Sequence, residues 1–187
     1  AQGLPCPGGF RPTPLHEVLL KTALLPDERA VSAWREWRSV TDLDSTDSGA
    51  YRLLPLVHRN LSALGVRDAD MERLKGVRRR TWYANQIIFR ELAGLLTALH
   101  RAGVETMVLK GAGLVQRQYG DIGLRPMNDF DIMVRPERVP EAIHLLKDAG
   151  WAPKNRPPTE RLDRYCRYIH SIPFWRKDHP ECDLHWH

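Results

Sequence analysis

The sequence predicts an α+β protein in which a helical N-terminal region, residues 15–103, precedes a smaller α/β core, residues 104–187. Three observations carry this expectation. Up to Gly103 the apolar residues recur at the three- and four-residue spacings of helix faces. Beyond it the pattern changes to short apolar runs, VETMVL (104–109) and DFDIMV (129–134), bounded by Gly, Pro and Asp. Near the end, residues 171–176 and 181–187 flank the turn KDHP as the arms of a hairpin do.

Taken in order, residues 1–14 are rich in Gly and Pro and are expected to be disordered. Leu19, Leu20, Ala23 and Leu24 form a first helical stripe, and Ala30, Ala33, Trp34 and Trp37 a second. TDLDSTDSG (41–49) has turn chemistry, and Tyr51, Leu54, Val57, Leu61 and Leu64 form a third stripe. Asp68 or Asp70 is placed to cap a long helix reaching His100, with Gly103 as its stop. Met71, Leu74, Trp82, Ile88, Leu92, Leu95 and Leu99 give that helix an apolar face, and the core is the expected place for Trp34, Trp37 and Trp82. Arg78–Arg80 reads as a solvated turn within it. After the strand 104–109 come a Lys110–Gly113 turn, a short helix (114–119), a loop (120–128) and the strand 129–134. A helix over 136–149 is closed by Gly150, and another is expected around 159–168 before the hairpin.

The bulk properties narrow the function. A chain of 187 residues buries enough surface to fold without a disulfide or metal staple. No apolar run approaches the length needed to cross a bilayer, and residues 1–14 lack the basic and apolar segments of a signal peptide, so no membrane partner is expected. Three irregularly spaced cysteines suit a reducing cytoplasm. A net charge of +5 favours anionic partners.

The chemistry concentrates in three places. In a strand, Asp129 and Asp131 point to one face while Phe130 and Ile132 point to the other. Paired carboxylates on one face call for a cation, and oxygen ligands suit Mg²⁺ or Mn²⁺. Upstream, Lys110, Gly111 and Ala112 lie where a strand gives way to a helix, so backbone N–H groups and a lysine can meet a phosphate. Arg125, in the loop before the acid strand, is a second candidate for phosphate charge. In ECDLHWH (181–187) alternation puts Glu181, Asp183, His185 and His187 on one face, so Asp183 becomes a third acid if this strand lies beside 129–134. His185 follows one step along, as a proton-transfer group or a neighbour that orients a ligand.

LKGAGL (109–114), Tyr119, LRPMNDFDIMVRPE (124–137), DAGW (148–151) and CDLHW (182–186), in this order, make the chain resemble the uncharacterised bacterial nucleotidyltransferase family of the polymerase-beta-like superfamily. The resemblance implies a small mixed sheet backed by helices and transfer of a nucleoside monophosphate from a nucleoside triphosphate to a hydroxyl acceptor, whether small molecule, protein or RNA. It makes Asp129, Asp131 and Asp183 the metal ligands and Gly111 the glycine of the phosphate-binding turn. It also implies a further C-terminal part beyond His187. Ala112 departs from the superfamily, which usually has a serine there, and the interval from Gly111 to Asp129 is longer than the superfamily's usual one. Two other readings stand beside this one. The first is an inactive module of the same fold that binds nucleotide, RNA or protein. The second is a zinc-stabilised module using Cys166, His170, Cys182 and His185, although alternation puts Cys182 and His185 on opposite faces.

Overall fold

The computed structural model describes residues 12–154 and 166–187. The chain divides into two compact units, one ending at Arg78 and the other running from Arg79 to His187. The boundary falls inside the long helix α5, Met71–Arg101.

The first unit is helical. Its helices are α1 (Pro14–Leu24), α2 (Glu28–Val40), α3 (Ser48–Tyr51), α4 (Leu54–Ala63) and the opening turns of α5. Thr13 caps α1 by accepting from the His16 N–H, and Pro14 occupies the first turn, where its missing N–H costs nothing. Asp27 caps α2 and Asp47 caps α3. The last residues of the turn expected over 41–49 are therefore already helical. Leu19, Ala30, Trp34, Trp37, Leu54, Val57 and Leu61 are buried, and the Trp34 and Trp37 rings stack with centroids 5.6 Å apart. Asp68 accepts from the Trp34 indole N–H at 3.1 Å, and Asp70 pairs with Arg38 at 2.7 Å. Both acids before α5 are thus spent on tertiary bonds as well as on the turn, where Asp68 also accepts from the Asp70 N–H.

Helix α5 ends as the sequence predicts. Gly103 adopts φ +69°, and the N–H groups of Gly103 and Val104 close back on His100 and Leu99. That is the paired bonding a left-handed glycine makes possible at a helix stop. Its apolar face differs in one place. Leu74, Ile88, Leu92, Leu95 and Leu99 are buried, but Trp82 is 47% exposed. At 100° per residue Trp82 lies well off the stripe through Ile88, Leu92 and Leu99, and Thr81 and Asn85 take the inward positions instead. Hydrophobicity suggested the core; helical phase decided otherwise.

The second unit holds a five-stranded mixed sheet, consisting of β1 (Thr106–Leu109), β2 (Asp129–Val134), β3 (Ala152–Pro153), β4 (Ser171–Trp175) and β5 (Glu181–His185) in the order β1-β2-β5-β4-β3. β2 and β5 run parallel and the other pairs are antiparallel. Phe130, Ile132, Ile172, Phe174, Cys182 and Leu184 line one face of the sheet. They form a core with Ile88, Leu92, Leu95 and Leu99 of α5 and with Val139, Ala142, Ile143 and Leu146 of α7 (Val139–Asp148). Trp151 meets Phe130 edge to face and carries the Arg176 guanidinium 5.0 Å above its ring. The two-residue strand β3 had no signal in the sequence; pairing with β4 creates it. The expected turn at Lys110–Gly113 is instead the start of helix α6 (Lys110–Leu114), which continues as a π-helical turn, Val115–Tyr119. Lys110, at φ +44°, reverses the chain in one residue, so no separate turn is needed. Residues 166–168 are helical; the rest of the helix expected around 159–168 lies outside the described residues. Among the described residues no helix is long and apolar enough to cross a membrane.

Candidate active site

The face of the sheet opposite the core carries the candidate residues. β2 sends Asp129 and Asp131 to it, and β5 sends Glu181, Asp183 and His185. The parallel register sets Asp131 directly beside Asp183 and Met133 beside His185. On the other side of β2, Leu109 pairs with Asp131, so the chain leaves β1 at the acid and Lys110 is the next residue. Three sequence-distant segments therefore converge on Asp131.

One oxygen each from Asp131 and Asp183 and one ring nitrogen of His185 lie within 4.8 Å of one another. Asp131 and His185 are buried and Asp183 is half-buried. The Lys110 ammonium lies 2.5 Å from Asp131 Oδ1, and His185 Nε2 lies 3.0 Å from the same oxygen. Its bond to Asp131 raises the Lys110 pKa, with Asp183 and Asp129 adding to the effect. Asp183 is pushed the other way for an acid: burial, then the charges of Asp131 and Asp129, raise its pKa. A group of carboxylates in which one resists ionisation is a site short of positive charge. Two oxygens and an imidazole nitrogen are donors that a divalent cation accepts, and the set leans toward Mn²⁺ more than an all-oxygen set would.

Asp129, expected to share the cation, is exposed at the start of β2 and stands outside the 4.8 Å cluster, although its charge still reaches Asp183 and Lys110. His185 stands inside it. Gly111 is buried, and a methyl group there would come within 3.0 Å of both Arg125 Nη1 and Met127 Sδ. The missing side chain is what lets the 125–127 loop close on α6, with the Arg125 guanidinium against Gly111. Among the described residues the Arg125 guanidinium pairs with no carboxylate, which leaves its charge available. Ala112 is fully buried within the core, so only its backbone N–H can serve a ligand. Helix α6 has no side-chain cap on its first turn.

A family model described as an uncharacterised nucleotidyltransferase matches residues 48–187. The chain belongs to this family. No curated protein and no solved structure matches it. Membership accounts for the whole second unit and for the helical residues from Ser48 onward, and it is compatible with the α+β architecture around a five-stranded mixed sheet.

The zinc set is not gathered. The Cys182 side chain is fully buried on the core face, where desolvation holds its thiol far above the usual range, while His185 faces the acids. His170 does stack on His185, with ring centroids 6.0 Å apart. A cavity of about 670 Å³ opens where β1 begins and β2 ends, between Met107, Met133 and Trp186. Its lining includes Glu105 but none of Asp129, Asp131 and Asp183.

One residue escaped the sequence reading. Asn85 is fully buried on the inward face of α5 and donates both amide hydrogens, to Ile122 O at 2.5 Å and Arg125 O at 2.8 Å. It ties the loop that carries Arg125 to the helix beneath. Its signal was available: an asparagine on the stripe of Ile88, Leu92 and Leu99 has to find partners or stay out of the core.

Proposed function

We propose that the second unit transfers a nucleoside monophosphate from a nucleoside triphosphate to a hydroxyl acceptor, with Mg²⁺ or Mn²⁺ as cofactor and the cytoplasm as its compartment. The observation that carries this reading is the register that sets Asp131 beside Asp183, with His185 and Lys110 on the same oxygen, in a chain of a nucleotidyltransferase family. The donor set fits a divalent cation: Asp131 and Asp183 hold it, with Asp129 or His185 completing the set. When bound, the cation supplies charge neutralisation on the triphosphate and lowers the pKa of the acceptor hydroxyl.

The chain's own residues do the rest. Gly111 and Ala112 offer N–H groups at the uncapped start of α6 to phosphate oxygens. Lys110 and Arg125 bring positive charge to the same oxygens, and Lys110 leaves Asp131 to do so. His185, bonded to Asp131, fixes the orientation of that carboxylate or carries the proton lost by the acceptor. A second reading, nucleotide binding without transfer, has one observation in its favour: Ala112 lies in the core, so the turn lacks a hydroxyl for phosphate.

The test is thermal melting with each nucleoside triphosphate, with and without Mg²⁺ or Mn²⁺, beside an Asp129→Asn/Asp131→Asn variant. A ligand that binds only the native state raises the midpoint. Stabilisation that needs both nucleotide and cation and disappears in the variant supports the site. No response to any nucleotide at millimolar concentration removes it.

A further inference from the structure

We propose that the exposed side of α5 from Arg79 to Arg90 binds single-stranded nucleic acid. Arg79, Tyr83, Gln86 and Arg90 recur at helical spacing on one side of the helix and all are exposed, with Arg80 and Trp82 flanking them. The strip runs about 16 Å along the axis at 1.5 Å per residue, room for a few nucleotides.

Two features separate it from an ordinary solvated helix face. The first is unbalanced charge. The sequence from Arg79 to Arg90 contains no Asp or Glu. The neighbouring acid is Glu91, whose side chain is 11% exposed and is held by Arg176 and by His179 at 3.3 Å. Arg90 reaches it only at 3.4 Å, with its own side chain 73% exposed. Three guanidinium groups therefore face water with little to offset them. The second feature is aromatic. Trp82 is 47% and Tyr83 67% exposed, on a helix whose inward positions are filled by Thr81, Asn85 and Ile88. Water gains nothing from these ring faces, whereas an unstacked base does, and arginine beside an aromatic ring is the pairing that tracks a flexible phosphodiester strand. An acidic peptide satisfies the charge but leaves the rings unused, which is why a nucleic acid is preferred.

The inference does not depend on the transfer reaction, and its test omits nucleoside triphosphate and divalent metal. Anisotropy of a fluorescein-labelled 20-residue oligo(U) is titrated with the whole chain across a salt series. Binding should weaken with salt at a log–log slope of about −2, as expected for roughly three phosphates on a single strand. Arg79→Gln/Arg80→Gln/Arg90→Gln should flatten that slope. Trp82→Ala/Tyr83→Ala should weaken binding about tenfold or more with the slope kept. All five side chains are exposed, so the melting midpoints should stay near the parent's. Failure to bind at low salt overturns the proposal, as does binding that neither variant changes. Equal competition by polyglutamate would assign the strip to an acidic protein instead, and equal affinity for a duplex of the same length would remove the role of the rings.

Discussion

Replacing Asp183 with Asn separates the cost of the site from its use. Oxygens of Asp131 and Asp183 lie within 4.8 Å. Two full charges at that distance repel by about 3.5 kcal/mol at an effective dielectric of about 20, and by about 0.9 kcal/mol in bulk water. Lys110 offsets part of this from 2.5 Å on Asp131, and Asp183 is partly exposed to solvent, so the lower end applies and about 1 kcal/mol remains. The raised pKa of Asp183 gives the sign. The folded protein holds that proton more tightly than the unfolded chain, so ionising it opposes folding. The penalty is absent below the ordinary carboxylate value of 3.8, grows as pH rises from there to the shifted value and is complete above it. Asp183→Asn should therefore raise stability at pH 7 by about 1 kcal/mol, or roughly 2–4 °C in midpoint for a chain of this size. It should abolish stabilisation by nucleotide with Mg²⁺ or Mn²⁺, and its advantage should shrink on acidification toward pH 4. Differential scanning fluorimetry across pH, with and without ligand, reads all three. A variant less stable than its parent at pH 7, or one whose advantage is independent of pH, would refute the account of Asp183 as a charge held in waiting for a cation.

Other substitutions test other parts of the structure. Burial, then the charges of Arg78 and Lys75, lowers the His58 pKa, and among the described residues its Nδ1 has no hydrogen-bond partner. Stability should be full above the ordinary histidine value of 6.5 and fall below it, where the unfolded chain takes up a proton that the folded one refuses; His58→Leu should flatten urea midpoints between pH 7 and 5. Asn85→Ala strips donors from the carbonyls of Ile122 and Arg125; about 1–3 kcal/mol should be lost, together with a weaker response to nucleotide, by chemical denaturation and ligand-dependent melting. Gly111→Ala should cost about 1–3 kcal/mol by crowding Arg125 and Met127, and the nucleotide-induced shift should fall further than that of a control substitution elsewhere on α6.

The sequence by itself determined the local grammar of this protein. Strand alternation at 129–134 and 181–185 sorted acids to one face and Phe130, Ile132, Cys182 and Leu184 to the other, because a pleated backbone has a period of two whatever surrounds it. The helix stops at Gly103 and Gly150 were equally legible, since a left-handed residue there favours glycine. Whether Trp82 is core or surface depended on which helix residues face the sheet, and that phase is fixed by Ile88, Leu92 and Leu99 packing under Phe130 and Leu184, not by the tryptophan's own hydrophobicity. The candidate site was legible as a set of residues and not as a constellation. Asp131 and Asp183 are brought side by side by parallel pairing of β2 with β5. That pairing spans about fifty residues of intervening chain, and no local propensity encodes it; the shared core beneath the two strands does. The same pairing carried His185 to Asp131 and left Asp129 at the exposed strand end. The one-residue reversal at Lys110, which puts its ammonium on Asp131, is held by α6 packing back against β1 and β2, and a sequence offers no sign of such a constraint.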